Sequence, residues 1–208
     1  MPSPVLPPAA SFGDYALALA QRPAAEAAAD ERWWLGRFEG ELPVLDLPLD
    51  RPRPPQRSFA SAREDYVFDA TLVASLRQLG ASHGASLFAT LLGGFAVLLS
   101  RLAGQDDVVI GIPAAGQAVD GHDRLVGHCV NLLPLRCRLA PGQSFAATLE
   151  AMQGTLLDAL DHQRCTFGSL LKQLHVPRDP ARLPLVSVMF NIDQAMDREA
   201  AGFPGMTL

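Results

Sequence analysis

Lysine is almost missing from this chain: Lys172 is the one lysine among 17 basic residues. Set against 22 acidic residues and a formal charge of −5, that composition offers no basic stripe for a phosphate backbone and excludes an extended nucleic-acid-binding face. The arginine bias reads as genome composition rather than phosphate recognition. Cysteine is equally scarce. Cys129, Cys137 and Cys165 are odd in number and make no disulfide framework, so a reducing cytoplasm is the expected setting. Long hydrophobic runs are missing too. The charge-free stretch from Gly84 to Ser100, with Gly93-Gly94 in its middle, falls at the lower limit for a membrane span and reads instead as a buried helix. Met1 to Ala10 has prolines at 2, 4, 7 and 8 and no basic segment, which excludes a signal peptide. What remains is 49% apolar and 19% charged over 208 residues. Disorder and a collagen-like repeat are thereby excluded. One ordinary domain is expected, burying roughly 70% of its unfolded surface.

The chain reads as an alternation of helices and strands. Residues 1–11 are an extended, Pro-rich lead-in. Asp14 to Gln21 is a short helical patch, and Pro23 to Glu39 an alanine-rich helix that Gly40 ends. Five prolines between Pro43 and Pro55 forbid regular structure, and the alternating leucines there predict an arm strapped along an apolar surface. Glu64 to Phe68 is expected as a strand, and Thr71 to Gly80 and Leu87 to Leu102 as helices. Val108 to Ile112 is apolar on both faces, as an interior strand should be, and Pro113 to Gly127 is a polar loop. A second strand is expected over Val130 to Leu139, and a long helix from Ser144, its N-cap, to His162. A short helix follows over Thr166 to Leu174, then a third strand over Leu183 to Ile192. This order predicts an α/β sandwich, a mixed β-sheet flanked by helices.

No self-contained catalytic constellation stands out. His128 and Cys129 are neighbours on or beside a strand and point to opposite faces, so they do not chelate one ion. Cys165 and His162 lie three apart after a helix C-terminus, the wrong end for stabilising a thiolate. There is no G-x-S-x-G elbow and no G-x-x-x-x-G-K loop. No metal site is predicted.

Six segments in order resemble the condensation domains of non-ribosomal peptide synthetases. Phe12-Gly13-Asp14-Tyr15-Ala16 is similar to Y-x-D-Y-A. Trp33-Trp34-Leu35 and the later Leu47-Pro48-Leu49-Asp50-Arg51-Pro52-Arg53-Pro54 are similar to W-L…LP-x-D-R-P-R-P. Ile110 to Gln117 resembles I-G-x-P-x-A-G-R, with Gln117 for the arginine. Leu125 to Arg136 resembles V-G-x-F-V-N-T-L-P-L-R, with Cys129 for the aromatic and Leu132 for threonine. His162 to Gly168 resembles H-Q-x-x-P-F-E, with Thr166 for proline and Gly168 for glutamate. Arg178 to Leu185 resembles R-D-x-S-R-x-P-L.

The resemblance implies a chloramphenicol-acetyltransferase-like half of a two-half domain. In that domain a tunnel brings two carrier-protein-bound thioesters together, and an acceptor amine attacks a donor thioester to form an amide. The phosphopantetheine arrives on the carrier proteins, and no cofactor is expected to bind directly. The family's H-H-x-x-x-D-G, whose histidine orients or deprotonates the amine, belongs to the other half and is absent here. Residues 12–208 are therefore expected to be the C-terminal subdomain, cut short at its end, and inactive without the N-terminal half. Asn131, Gly127 and His128 are the tunnel candidates by resemblance; for Asn131 a carbonyl-holding role and a purely structural one both stand open, and Gly127 is expected at a close approach or a positive φ. Arg178, Asp179 and Arg182 are expected to order the loop before the last strand, His162 and Gln163 to cap the long helix, and Trp34 to anchor the arm. Two other functions stay open: a non-catalytic module that docks carrier or partner proteins, and an acyltransferase using coenzyme A thioesters. An isolated half is also expected to self-associate through its exposed tunnel face.

Overall fold

The computed structural model of this protein describes residues 8–116, 124–177 and 179–193. Helix α1 (Phe12–Ala20) starts at Ser11, whose Oγ accepts from the Asp14 amide at 3.2 Å. Helix α2 (Ala24–Arg37) starts behind Pro23, which holds φ at −53°. It stops two residues before the expected Glu39, because the Phe38 amide turns back to the Leu35 carbonyl at 3.0 Å. Gly40, at φ +82°, then takes the left-handed turn that a residue with a Cβ resists.

The Pro-rich arm follows and has no regular structure. Its first part is strapped down as the leucine pattern predicts: Leu45 is buried, and Leu42 and Leu47 pack on the same core. Gln105 clamps it from both sides, its Oε1 accepting from the Asp46 amide at 2.9 Å and its Nε2 donating to the Val44 carbonyl at 3.0 Å. From Leu49 onward the arm is exposed. The strand expected over Glu64–Phe68 does not form. A strand exists only through a partner that takes its amides and carbonyls, and among the described residues none lies beside this one. Tyr66 and Val67 are 84% and 89% exposed.

Helix α3 (Ala70–Ser82), capped by Asp69, runs into α4 (Leu87–Ala103), capped by Ser86. The two meet at 98°. Their corner is tight, since a Cβ on Gly80 would collide with Thr90 Oγ1. Ala89, Leu92 and Ala96 of α4 are wholly buried, the signature of a core helix. No single helix among the described residues is long and apolar enough to cross a membrane.

Strand β1 (Asp107–Ala115) pairs antiparallel with β2 (Val130–Arg138), from Asp107 opposite Arg138 to Ala115 opposite Val130. Strand β3 (Val188–Met189) pairs with β1 in parallel, giving the order β2-β1-β3 and the mixed sheet expected. Only two residues of the predicted Leu183–Ile192 strand pair. Pro184 has no amide to donate, and Leu185 is at φ +65°, so extended geometry starts late. Helix α5 (Phe145–Asp161) begins at Ser144, as expected, and α6 (Phe167–Leu174) at Thr166. Helices α4 and α5 pack on each other, α4 also on β1 and α5 on β2. The central β1 carries the core, with Val108 and Ile110 fully buried.

Candidate functional site

Where α1 meets the start of β2 and the turn between α5 and α6, the chain encloses a cavity of about 280 Å³. Phe12, Leu19 and Val130 give it an apolar wall, and His128, Asn131 and Arg164 are its polar residues of note. His128 is exposed, beside buried Cys129. Two glycines make the close packing possible. A Cβ on Gly127 would run into the Phe12 ring, so close approach rather than a positive φ explains this residue. A Cβ on Gly116 would sit 2.7 Å from the Cys129 carbonyl oxygen and 2.8 Å from the Tyr15 hydroxyl. Gly116→Ala is therefore expected to push α1 off the sheet and to lower stability by about 1–3 kcal/mol. A urea unfolding curve measures it.

Asn131 lies at this cavity with its amide fully engaged. Its Nδ2 donates to the carbonyls of Gln163 and Cys165, both at 2.8 Å. Its Oδ1 accepts from the amides of Leu132 at 3.0 Å and Phe167 at 3.1 Å. One side chain thus ties β2 to the turn that launches α6 and uses both donors and both acceptor directions of the group.

His162 caps α5, donating its amide to the Asp158 carbonyl at 3.3 Å. Its Nδ1 lies 2.8 Å from Asp30 Oδ1, and Arg22 donates to the other oxygen of the same carboxylate at 2.9 Å. The Trp33 ring stacks on the imidazole at 4.4 Å, and Trp34, 2% exposed, donates its indole N–H to the His162 carbonyl at 2.9 Å. Trp34 thereby fastens α2 to the turn after α5. Arg182 donates to the Leu45 carbonyl at 2.8 Å and lies 3.3 Å from Asp46 and 3.6 Å from Asp179. It joins the loop before β3 to the arm, a contact that lies beyond the loop the trio is expected to order. Arg178 lies outside the described residues.

Sequence reasoning also missed Arg136 and Asp107. Arg136, 7% exposed, donates through Nε and Nη2 to the Asp107 carboxylate at 2.7–3.1 Å. It reaches the carbonyls of Arg37, Glu39 and Glu41 as well. The alternation of β2 alone would place a cation here on a buried strand, and that anomaly was the available signal.

All three cysteines are free and buried. Cys165 stands just before the N-cap of α6, not merely after α5, yet burial first and the Glu31 and Asp30 carboxylates second push its thiol up to about 11. Burial likewise pushes Cys137 up to about 12. Neither is a nucleophile at neutral pH. A thiol held neutral in the fold stabilises fully below its ordinary 9.0 and loses that contribution as pH climbs toward about 12. Urea midpoints are thus expected to fall as pH rises from about 9 toward about 12, and to fall less in Cys137→Ala measured against its own neutral-pH value. No group of three or more potential ligands that could hold a metal ion occurs among the described residues.

The sequence profile of the condensation domain matches residues 2–203. The chain is 40% identical over 163 residues to surfactin synthase subunit 2 of Bacillus subtilis (strain 168), which covers 78% of this chain and 4% of that protein. It is 40% identical over 169 residues to tyrocidine synthase 3 of Brevibacillus parabrevis, covering 81% of this chain and 3% of that one. The chain thus spans a small fraction of these relatives. Its fold is similar to that of holo-AB3403, a four domain nonribosomal peptide synthetase, with a TM-score of 0.83 at 22% identity, over 90% of this chain and 14% of the other. It is similar also to the condensation domain from Monacolin K polyketide synthase MokA, with a TM-score of 0.75 at 25% identity, over 91% of this chain and 47% of the other. On a match that spans nearly all of its residues, the chain belongs to the condensation domain family.

Proposed function

We propose that this chain supplies the C-terminal part of an amide-forming site that works on two carrier-bound thioesters. The observation that carries the reading is the family match across residues 2–203. The donor is an acyl or peptidyl thioester and the acceptor an aminoacyl thioester, each on the phosphopantetheine arm of a carrier protein. The amine attacks the thioester carbonyl, the amide forms, and the donor thiol leaves. A histidine that orients or deprotonates the amine is required. The 208 residues contain no H-H-x-x-x-D-G, so that histidine comes from the N-terminal half of the domain.

The share assigned to these residues is shape. The apolar wall of Phe12, Leu19 and Val130 suits the arm's methylenes, and exposed His128 is the polar group beside it. Asn131 holds the wall in place rather than the substrate carbonyl, because its amide is already spent on four backbone groups. Co-expression with an N-terminal half carrying the motif, followed by an assay with two loaded carriers, tests the reading. Amide formation by the complex is expected; a verified complex that binds carriers and forms none favours the non-catalytic docking module instead.

The chain by itself is expected to self-associate. Phe59, Val67 and Tyr66 are each more than four-fifths exposed, and exposed apolar side chains of that size mark a contact surface. Light scattering should give a mass that rises with concentration; a monodisperse monomer throughout would contradict this.

A further inference from the structure

A second cavity, of about 230 Å³, opens between the end of α2, the last residues of β2 and α5. Three arginines line it, Arg37, Arg136 and Arg138, in a chain whose formal charge is −5. Among the described residues one carboxylate, Asp107, answers them. Arg136 takes both of its oxygens, while Arg138 Nε stays 3.7 Å away, beyond hydrogen-bond reach. Arg37 has no carboxylate within ion-pair distance among the described residues. It lies over the Trp33 ring at 5.7 Å and reaches Thr155 Oγ1 only at 3.5 Å.

Neutral donors gather at the same place. Gln143 uses its Oε1 to accept from the Ala140 amide, which leaves its Nε2 with no acceptor among the described residues. The Thr155 hydroxyl proton is likewise uncommitted among them. Carbonyls would repel an anion; here Arg136 takes that of Arg37, the last residue of α2, and those of Glu39 and Glu41 just beyond it. Two under-compensated cations and two neutral donors around one concavity match a tetrahedral dianion better than a monocarboxylate. The volume is below the roughly 300–1,000 Å³ of pockets for drug-sized ligands, which fits a head group.

We propose that this cavity binds a phosphate dianion, free or as the head of a monoester, through Arg37, Arg138, Gln143 and Thr155. Met152 and Cys137 form the apolar wall on which the stem of an ester would lie. The site is separate from the cavity at Asn131 and does not rest on the amide-forming reading.

Isothermal titration of the 208-residue chain at low salt, with O-phosphoserine and with inorganic phosphate, tests it, and L-serine is the control. Saturable one-to-one binding is expected, weakening as salt is added. Arg37→Gln and Arg138→Gln should each weaken it about tenfold, while Arg37→Lys loses less. Tighter binding of O-phosphoserine assigns the site to a monoester, and equal or tighter binding of inorganic phosphate assigns it to the free ion. The side chain of Arg138 is 62% exposed, so its variant should fold normally, which circular dichroism and a melting curve check. No saturable binding by the native chain, or undiminished binding by a folded Arg138→Gln variant, overturns the proposal.

Discussion

Arg136→Ala is expected to cost the fold about 3–5 kcal/mol, the usual loss when one partner of a buried charge pair is removed. The guanidinium is the common donor to one carboxylate and to three backbone carbonyls. Its removal leaves the Asp107 carboxylate, one-third exposed, with water and the looser Arg138 contact at 3.7 Å. It also leaves the exit of α2 without donors just where the arm begins. Arg136→Lys should recover only part of the loss. A point ammonium cannot reproduce a planar fork that serves Asp107 and Glu41 at the same time. Urea unfolding measures both variants, and a melting curve for Arg136→Ala within a degree or two of the native one would contradict the assignment.

Asn131→Ala should cost about 2–4 kcal/mol, because it strands two carbonyls and two amides around the α5–α6 turn. Asn131→Asp should do at least as badly. It keeps the acceptor for Leu132 and Phe167 but sets an oxygen against the carbonyls of Gln163 and Cys165, where an N–H had donated at 2.8 Å. The same variants separate two roles for this residue. If Asn131 only builds the wall, then in a complemented complex the activity lost follows the fraction of protein unfolded. A fully folded variant with kcat reduced a hundredfold or more would point to a direct hold on the reacting carbonyl.

Much of the scaffold could be read from residues because its signals are local. Ser144 precedes an apolar run of helical period and proves to be the N-cap of α5. Val108 to Ile112 is apolar on both faces and forms the centre of β1. Where a structure depends on a distant partner, sequence reasoning went astray. Tyr66, Val67 and Phe68 have strand composition, yet pairing needs a neighbour that the described residues do not place there. Leu183 to Ile192 looks continuous, but the left-handed turn at Leu185 follows from packing and not from its own preference.

The candidate site shows the same division. The motif order located Asn131, His128 and Gly127, and the first two line one cavity. What Asn131 does there was hidden, since its four partners depend on how the α5–α6 turn folds back on β2. The link from His162 to Asp30 spans 132 residues and leaves no trace in local pattern. Arg136 was visible only as one letter of a motif, although it holds the end of α2, the arm and β1 together.

The most direct test of the function is the intact mass of an acceptor carrier after incubation with a loaded donor carrier. Three samples are compared: this chain alone, the N-terminal half alone, and the two together. A gain equal to the donor acyl group is expected only in the third, and it should vanish when the histidine of the motif in the N-terminal half is replaced. The same gain with this chain alone would contradict the division of labour proposed for it.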